Sequence, residues 1–135
     1  MKLKKKILGL GLVLAVSLGC AIPASAVTVW YDWIFVSTNV TLPAAVGKKN
    51  DMEHNYYFTV VSGNVSSSNI LGTRVRRVED DASVSGYELH KYKEQSVPYS
   101  YTTYVDQNHS YYMNGKKDSE STSSATLSAT GKITY

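Results

Sequence analysis

Hydrophobic and polar residues alternate with a period of two along much of this chain. From residue 27 to residue 36, one face of the alternating segment is entirely apolar. It consists of Val27, Val29, Tyr31, Trp33 and Phe35. Alternation of this kind is typical of a β-strand, whose successive side chains point to opposite faces. The other face carries Thr28 and Asp32 but also Trp30 and Ile34, so we expect both faces of this first strand to be covered.

The same pattern predicts further strands over residues 56–61, 73–78, 84–92 and 97–105, and in a C-terminal region through Ala125, Leu127 and Ala129. Polar segments lie between them, including a loop over residues 44–54 and an acidic turn over residues 79–81.

The strongest local turn signal is Asn114-Gly115, because these two residues tolerate the positive φ angles of a type I′ turn. We therefore predict a hairpin at that position. About seven or eight short strands and no sustained helical spacing predict an all-β fold. The expected architecture is a single antiparallel β-sandwich, with a small β-barrel as the alternative.

The first 26 residues have the composition of an export signal. Four lysines form a basic head, residues 7–18 are apolar, and Ala24 and Ala26 supply the small side chains that a signal peptidase requires. We predict a cleaved signal peptide over residues 1–26, followed by one secreted all-β domain over residues 27–135. The short, lysine-dense head is typical of bacteria.

Two alternatives exist for this head. A membrane anchor would need about twenty apolar residues, which is more than the run contains. A lipoprotein would be cut before Cys20 and lipidated there, but its motif requires a residue such as Leu where this chain has Ser17. Lipidation of Cys20 is thus an alternative to cleavage after Ala26, since cleavage after Ala26 would remove Cys20 from the mature protein.

Removal of the head changes the charge of the protein. Four of the 14 basic residues leave with it, so the formal net charge of +3 becomes about −1 against 11 acidic residues. We therefore expect no binding to nucleic acid, and no membrane association after cleavage. The remaining domain has no cysteine, so it must be stabilised by packing alone, without disulfides.

Few residue patterns in the chain indicate catalysis or metal binding. His54, His90 and His109 lie in different segments, and no serine occupies a nucleophile elbow. His90 precedes Glu94 by four residues, a spacing that brings ligands together on a helix but not on the extended segment predicted here. We expect no enzyme activity, no metal and no cofactor.

Tyrosine is the most informative residue type for binding, since aromatic rings stack on sugars and anchor protein interfaces. All 11 tyrosines follow residue 26. The candidate binding residues are Tyr99, Tyr101, Tyr104, Tyr111 and Tyr112. Tyr104 is expected to face solvent because it lies opposite Tyr99 and Tyr101 in the alternation.

These observations favour a small exported bacterial protein without enzyme activity that binds an extracellular partner protein, a glycan or a cell-wall component. A secreted bacteriocin-like or membrane-active toxin is the alternative, and a minor extracellular hydrolase is a weaker one. If residues 131–135 lie at a sheet edge, this C-terminal strand would also pair with a partner by strand addition.

Overall fold

The computed structural model describes residues 27–135, and within them the chain forms nine β-strands. The predictions for residues 1–26, namely the signal peptide, the membrane anchor and the lipidation of Cys20, lie outside the described residues. The strands are β1 (Thr28–Phe35), β2 (Thr41–Pro43), β3 (Gly47–Lys48), β4 (Asn55–Gly63), β5 (Leu71–Arg77), β6 (Glu88–His90), β7 (Glu94–Ser100), β8 (Ser110–Lys117) and β9 (Leu127–Thr134).

The strands form two antiparallel sheets. Sheet A has four strands in the order β1-β9-β4-β7, and sheet B has five, in the order β2-β8-β5-β6 with β3 also paired to β8. This arrangement confirms the predicted all-β sandwich rather than the barrel alternative. Among residues 27–135, no helix has the length and hydropathy needed to cross a membrane.

The core lies between the sheets and is filled by the apolar faces of alternating strands. On β1, Tyr31, Trp33 and Phe35 are buried while the residues between them are exposed, as the sequence predicts. The ring of Tyr31 stacks on Trp33 at 4.3 Å and on Phe58 of β4 at 5.3 Å between centroids. Each fully buried apolar side chain of this size contributes about 1.5–3 kcal/mol to folding.

Two predicted strands are shorter in the structure. The segment over residues 84–92 is a strand only over β6, and within it Ser85 makes an isolated bridge to Tyr101. The segment over residues 97–105 belongs to β7 only as far as Ser100, and Tyr101 then bridges to Ser85. The predicted strand over residues 56–61 lies within β4, and that over residues 73–78 is confirmed in β5 up to Arg77, with Val78 outside the strand.

The predicted hairpin at Asn114-Gly115 is wrong. Both residues lie inside β8, where Gly115 pairs with Thr73 on one side and Leu42 on the other. A Cβ atom at Gly115 would lie 2.5 Å from Cζ3 of Trp33. The glycine therefore provides room for a core tryptophan, and tertiary packing outweighs the turn preference of the dipeptide.

The C-terminal strand does not lie at a sheet edge. Within β9, Ile133 pairs with Val29 of β1 and with Phe58 of β4, so both sides of the strand are occupied. The condition for strand addition through residues 131–135 is therefore not met. Gly131 lies inside this strand, and a Cβ there would lie 1.9 Å from the Thr59 carbonyl oxygen.

Candidate functional site

The structure divides the five candidate tyrosines between the core and the surface. Tyr101 and Tyr111 are buried side by side, with 6.2 Å between their ring centroids. Their rings fill the space between the sheets, so neither presents a face to a ligand on the surface. Desolvation in the core raises the pKa of both hydroxyl groups above the ordinary value for tyrosine.

The other three candidate tyrosines reach the surface at separate places. Tyr99 is half-buried on β7, and its hydroxyl donates to Glu94 Oε2 at 2.8 Å. Tyr112 of β8 donates its hydroxyl to the carboxylate of Asp81. Tyr104 is 68% exposed in a loop, in the orientation that the alternation predicts. Ligand binding by these three residues stays a prediction.

The side chains of His90 and Glu94 are in contact, although their spacing on an extended segment did not predict this. His90 Nδ1 lies 3.0 Å from Glu94 Oε1, and His90 Nε2 lies 2.8 Å from the Thr73 hydroxyl. The order of hydroxyl, imidazole and carboxylate is that of a hydrolytic triad. However, Thr73 and His90 are both 0% exposed, so a substrate has no access to the hydroxyl in this structure.

The other two histidines lie closer to the surface, away from His90. His109 Nδ1 lies 3.0 Å from Glu79 Oε1, and this contact lowers the pKa of the Glu79 carboxyl. His54 packs against the edge of the Tyr101 ring. Within residues 27–135, no group of three or more His, Cys, Asp or Glu side chains is placed to hold a metal ion.

The outer face of sheet A presents an exposed aromatic ring among polar side chains. Trp30 is 61% exposed on β1 because its neighbours Tyr31 and Val29 point inward. It pairs with Lys132 of β9, which in turn pairs with Thr59 of β4. These three residues therefore lie in one row across the sheet. Lys132 Nζ lies 5.6 Å from the centroid of the Trp30 ring, within reach of a cation–π contact.

Hydroxyl groups surround this row. The Thr130 hydroxyl donates to Asp32 Oδ1 at 2.9 Å, and those of Thr28 and Thr134 share a hydrogen bond of 2.8 Å. A second aromatic residue, Tyr57, lies on the same face of β4 and is half-buried. We call the outward-facing residues of this surface the sheet A platform. It comprises Thr28, Trp30, Asp32, Tyr57, Thr59, Thr130, Lys132 and Thr134.

The platform leads into a hollow of about 380 Å³ at the β4–β7 side of the sheet. A register shift between Phe58 and Val60 opens the ladder there, and Ser96 takes a positive φ of 49°. The backbone N–H of Ser96 donates to the Thr59 hydroxyl at 3.0 Å, which joins the hollow to the row of Trp30. The hollow is lined by Thr59, Val60, Val61, Lys93, Glu94, Gln95, Ser96 and Lys132.

The charges in this hollow are unequally accessible. Glu94 is 6% exposed, and its two carboxylate oxygens are engaged by His90 and Tyr99. Lys93 and Lys132 are exposed. The hollow therefore offers two ammonium groups, a glutamine side chain and the hydroxyls of Thr59 and Ser96, beside the indole ring of Trp30. These are groups that stack on, and hydrogen-bond to, a polar molecule with a flat apolar face.

The sequence contained a partial signal for this surface. The alternation places Trp30 and Ile34 on the otherwise polar face of the first strand, and large apolar residues in that position are either covered or available for binding. In the structure both are 61% exposed. The position of Lys132 and Thr59 beside Trp30 depends on strand order, which local patterns do not reveal.

Comparison with known protein families, with curated proteins and with solved structures found no match for this chain.

Proposed function

We propose that this chain is an exported, non-enzymatic binding protein that holds an extracellular glycan on the sheet A platform. The observation that supports the proposal most directly is the exposed ring of Trp30 in line with Lys132 and Thr59. An indole ring stacks on the apolar face of a pyranose, and the surrounding hydroxyl and amide groups form hydrogen bonds with the hydroxyl groups of the sugar.

A flat platform next to a shallow hollow favours an extended polysaccharide ligand over a small molecule. A sugar unit on Trp30 would place its neighbours along the row toward the hollow, where Gln95 and Ser96 offer hydrogen-bonding groups. The β-sheet holds these side chains in fixed register, so little conformational entropy is lost when the ligand binds. Of the core network of Thr73, His90 and Glu94, only Glu94 lines the hollow, and its carboxylate oxygens are already engaged by His90 and Tyr99.

The test is a pull-down of the protein with chitin, cellulose and purified peptidoglycan particles. We expect retention on at least one of them, and Trp30→Ala should reduce the retained fraction about tenfold because the stacking contact is lost. Tyr104→Ala is the comparison variant, since it removes an aromatic ring of similar exposure from a loop outside the platform, and loss of retention in that variant alone would assign the binding to the loop tyrosine instead. Equal loss in the two variants, or none in Trp30→Ala, would contradict the proposal.

A dye-release assay separates this function from a membrane-active toxin. The glycan-binding proposal predicts that the protein leaves vesicles of phosphatidylglycerol and phosphatidylethanolamine intact at concentrations that saturate the particles. Release of trapped dye, together with no retention on any particle, would favour the toxin.

A further inference from the structure

We propose that the outer face of sheet B carries a second binding site, for the carboxylate groups of an acidic polysaccharide. The site is a groove of about 380 Å³ on the opposite side of the sandwich from the platform. Arg74 and Arg76 of β5 and Asn114 and Lys116 of β8 line it, together with Tyr87 and Thr41. We call this surface the sheet B groove, and the proposal does not depend on the function of the platform.

The antiparallel register brings the cations together. Arg74 pairs with Asn114, and Lys116 pairs with Gly72, two residues before Arg74 on the same strand. The residues between them, Thr73 and Val75 on β5 and Gly115 on β8, are buried, so the charged side chains all emerge on the outer face. Cations that are far apart in the sequence therefore lie together in one patch, because both strands point every second side chain to the same outer face.

Tyr87 holds two of these cations side by side. Its ring lies over Gly72, where a Cβ atom would be 1.7 Å from the Tyr87 hydroxyl oxygen. The guanidinium carbon of Arg74 lies 5.6 Å, and the ammonium of Lys116 5.4 Å, from the centre of that ring. The Tyr87 hydroxyl donates to Asp118 Oδ2 at 2.9 Å, which fixes the ring in place.

Two of the three cations that line the groove are not neutralised by carboxylates of the described residues. Arg76 and Arg77 form ion pairs with Asp81 and Asp80, whereas within residues 27–135 neither Arg74 nor Lys116 has an acidic partner within 4.0 Å. The buried Nε of Arg74 also makes no hydrogen bond there. The domain as a whole is slightly acidic, so this patch does not follow from a general excess of basic residues.

Charge complementarity makes the ligand an anion, and the remaining groups indicate its type. A planar guanidinium pairs with a carboxylate through two parallel hydrogen bonds. The neutral side chains of Thr41 and Asn114 add groups that can both donate to and accept from the hydroxyls of a sugar. A membrane surface would gain only about 1 kcal/mol from each basic residue, too little for stable binding by three.

The test measures binding of the protein to polygalacturonate, with polyphosphate and a neutral galactan for comparison. We expect polygalacturonate to bind, with an affinity that falls as salt is added, and the galactan not to bind at this site. The double variant Arg74→Gln with Lys116→Gln should weaken binding at least tenfold. Arg77→Gln is the matched control, because Arg77 is paired with Asp80 and does not line the groove.

Several outcomes would overturn the proposal. One is unchanged polygalacturonate affinity in the double variant when its urea midpoint equals that of the parent protein. Another is tight binding of polyphosphate without binding of polygalacturonate. Trp30→Ala distinguishes the two proposals, since it should leave binding at the groove unchanged whether or not the platform holds a glycan.

Discussion

The hydroxyl of Thr73 lies 2.8 Å from Nε2 of His90, and this contact is the first link of a buried polar chain that joins the two sheets. Thr73 and His90 belong to β5 and β6 of sheet B, whereas Glu94, the next link, belongs to β7 of sheet A. The His90 ring also lies 4.3 Å from that of Phe58 on β4. The chain of hydrogen bonds therefore fixes the relative position of the sheets at one end of the sandwich.

Replacement of His90 tests the structural role of this network. His90→Leu leaves the buried carboxyl of Glu94 with Tyr99 as its remaining partner, and we expect a loss of about 3 kcal/mol in the free energy of unfolding. Thr73→Val removes only the first hydrogen bond and should cost about 1 kcal/mol. Urea denaturation measures both values. Equal, small effects in the two variants would show that the network contributes little to stability.

The sequence predicted the fold class because that class depends on local alternation. The buried and exposed positions of β1 follow the pattern of Tyr31, Trp33 and Phe35, since a strand buried on one face needs an apolar residue at every second place. The hairpin predicted at Asn114-Gly115 is wrong because the reason for that glycine is a tertiary contact instead of a local preference. The reason for that glycine is the ring of Trp33 in the facing sheet, and no local pattern contains that information.

The candidate sites were harder to predict, because each combines residues from several strands. Trp30, Lys132 and Thr59 are far apart in the chain and meet only because β9 lies between β1 and β4. His90 and Glu94 are close in sequence, but they do not meet on one helical face. Their contact forms because the chain turns between β6 of sheet B and β7 of sheet A. Tyrosine content identified the aromatic residues as candidates, and alternation placed Tyr104 toward solvent. Neither signal showed that Tyr101 and Tyr111 pack together in the core.

The buried ion pair of Lys49 and Asp51 offers a second test of stability. Lys49 is 0% exposed, and its ammonium lies 2.6 Å from Asp51 Oδ1 and 5.2 Å from the centre of the Tyr101 ring. Asp51→Asn leaves a buried cation without its counter-charge, and we expect a loss of about 3 kcal/mol. Lys48→Ala, at the exposed neighbouring position, is the control. Thermal unfolding that is unchanged in Asp51→Asn would contradict this expectation.

Buried tyrosines should make the protein sensitive to alkaline pH. Burial raises the pKa of Tyr31, Tyr56, Tyr101 and Tyr135 above the ordinary value of 10.0. Below pH 10 these groups are protonated in both states and stability is unaffected. Above it they ionise in the unfolded chain first, so the free energy of unfolding should fall as pH rises.

Phenolate absorbance and far-ultraviolet circular dichroism, followed together through the titration, measure this effect. We expect part of the absorbance change to coincide with loss of strand signal. Tyr101→Phe should make the fall in stability with pH less steep, since the Tyr101 hydroxyl makes no hydrogen bond within the described residues and the substitution removes only its ionisation. Complete phenolate formation with an intact strand signal would refute the prediction.

Two glycines allow the packing explanation for β8 to be tested directly. Gly115→Ala would place a methyl group 2.5 Å from the Trp33 ring, which is enclosed by the core and cannot move freely. We expect a loss of about 2 kcal/mol in the free energy of unfolding, as for other overpacked cores, and a change in tryptophan fluorescence.

Gly86 provides the control for this prediction. At Gly86 the added carbon would meet only Glu88 Oε1, at 3.2 Å, at the end of a flexible side chain. Gly86→Ala should therefore change stability by less than about 0.5 kcal/mol. If both variants have the same urea midpoint, the close approach of Trp33 is not the reason for a glycine at position 115.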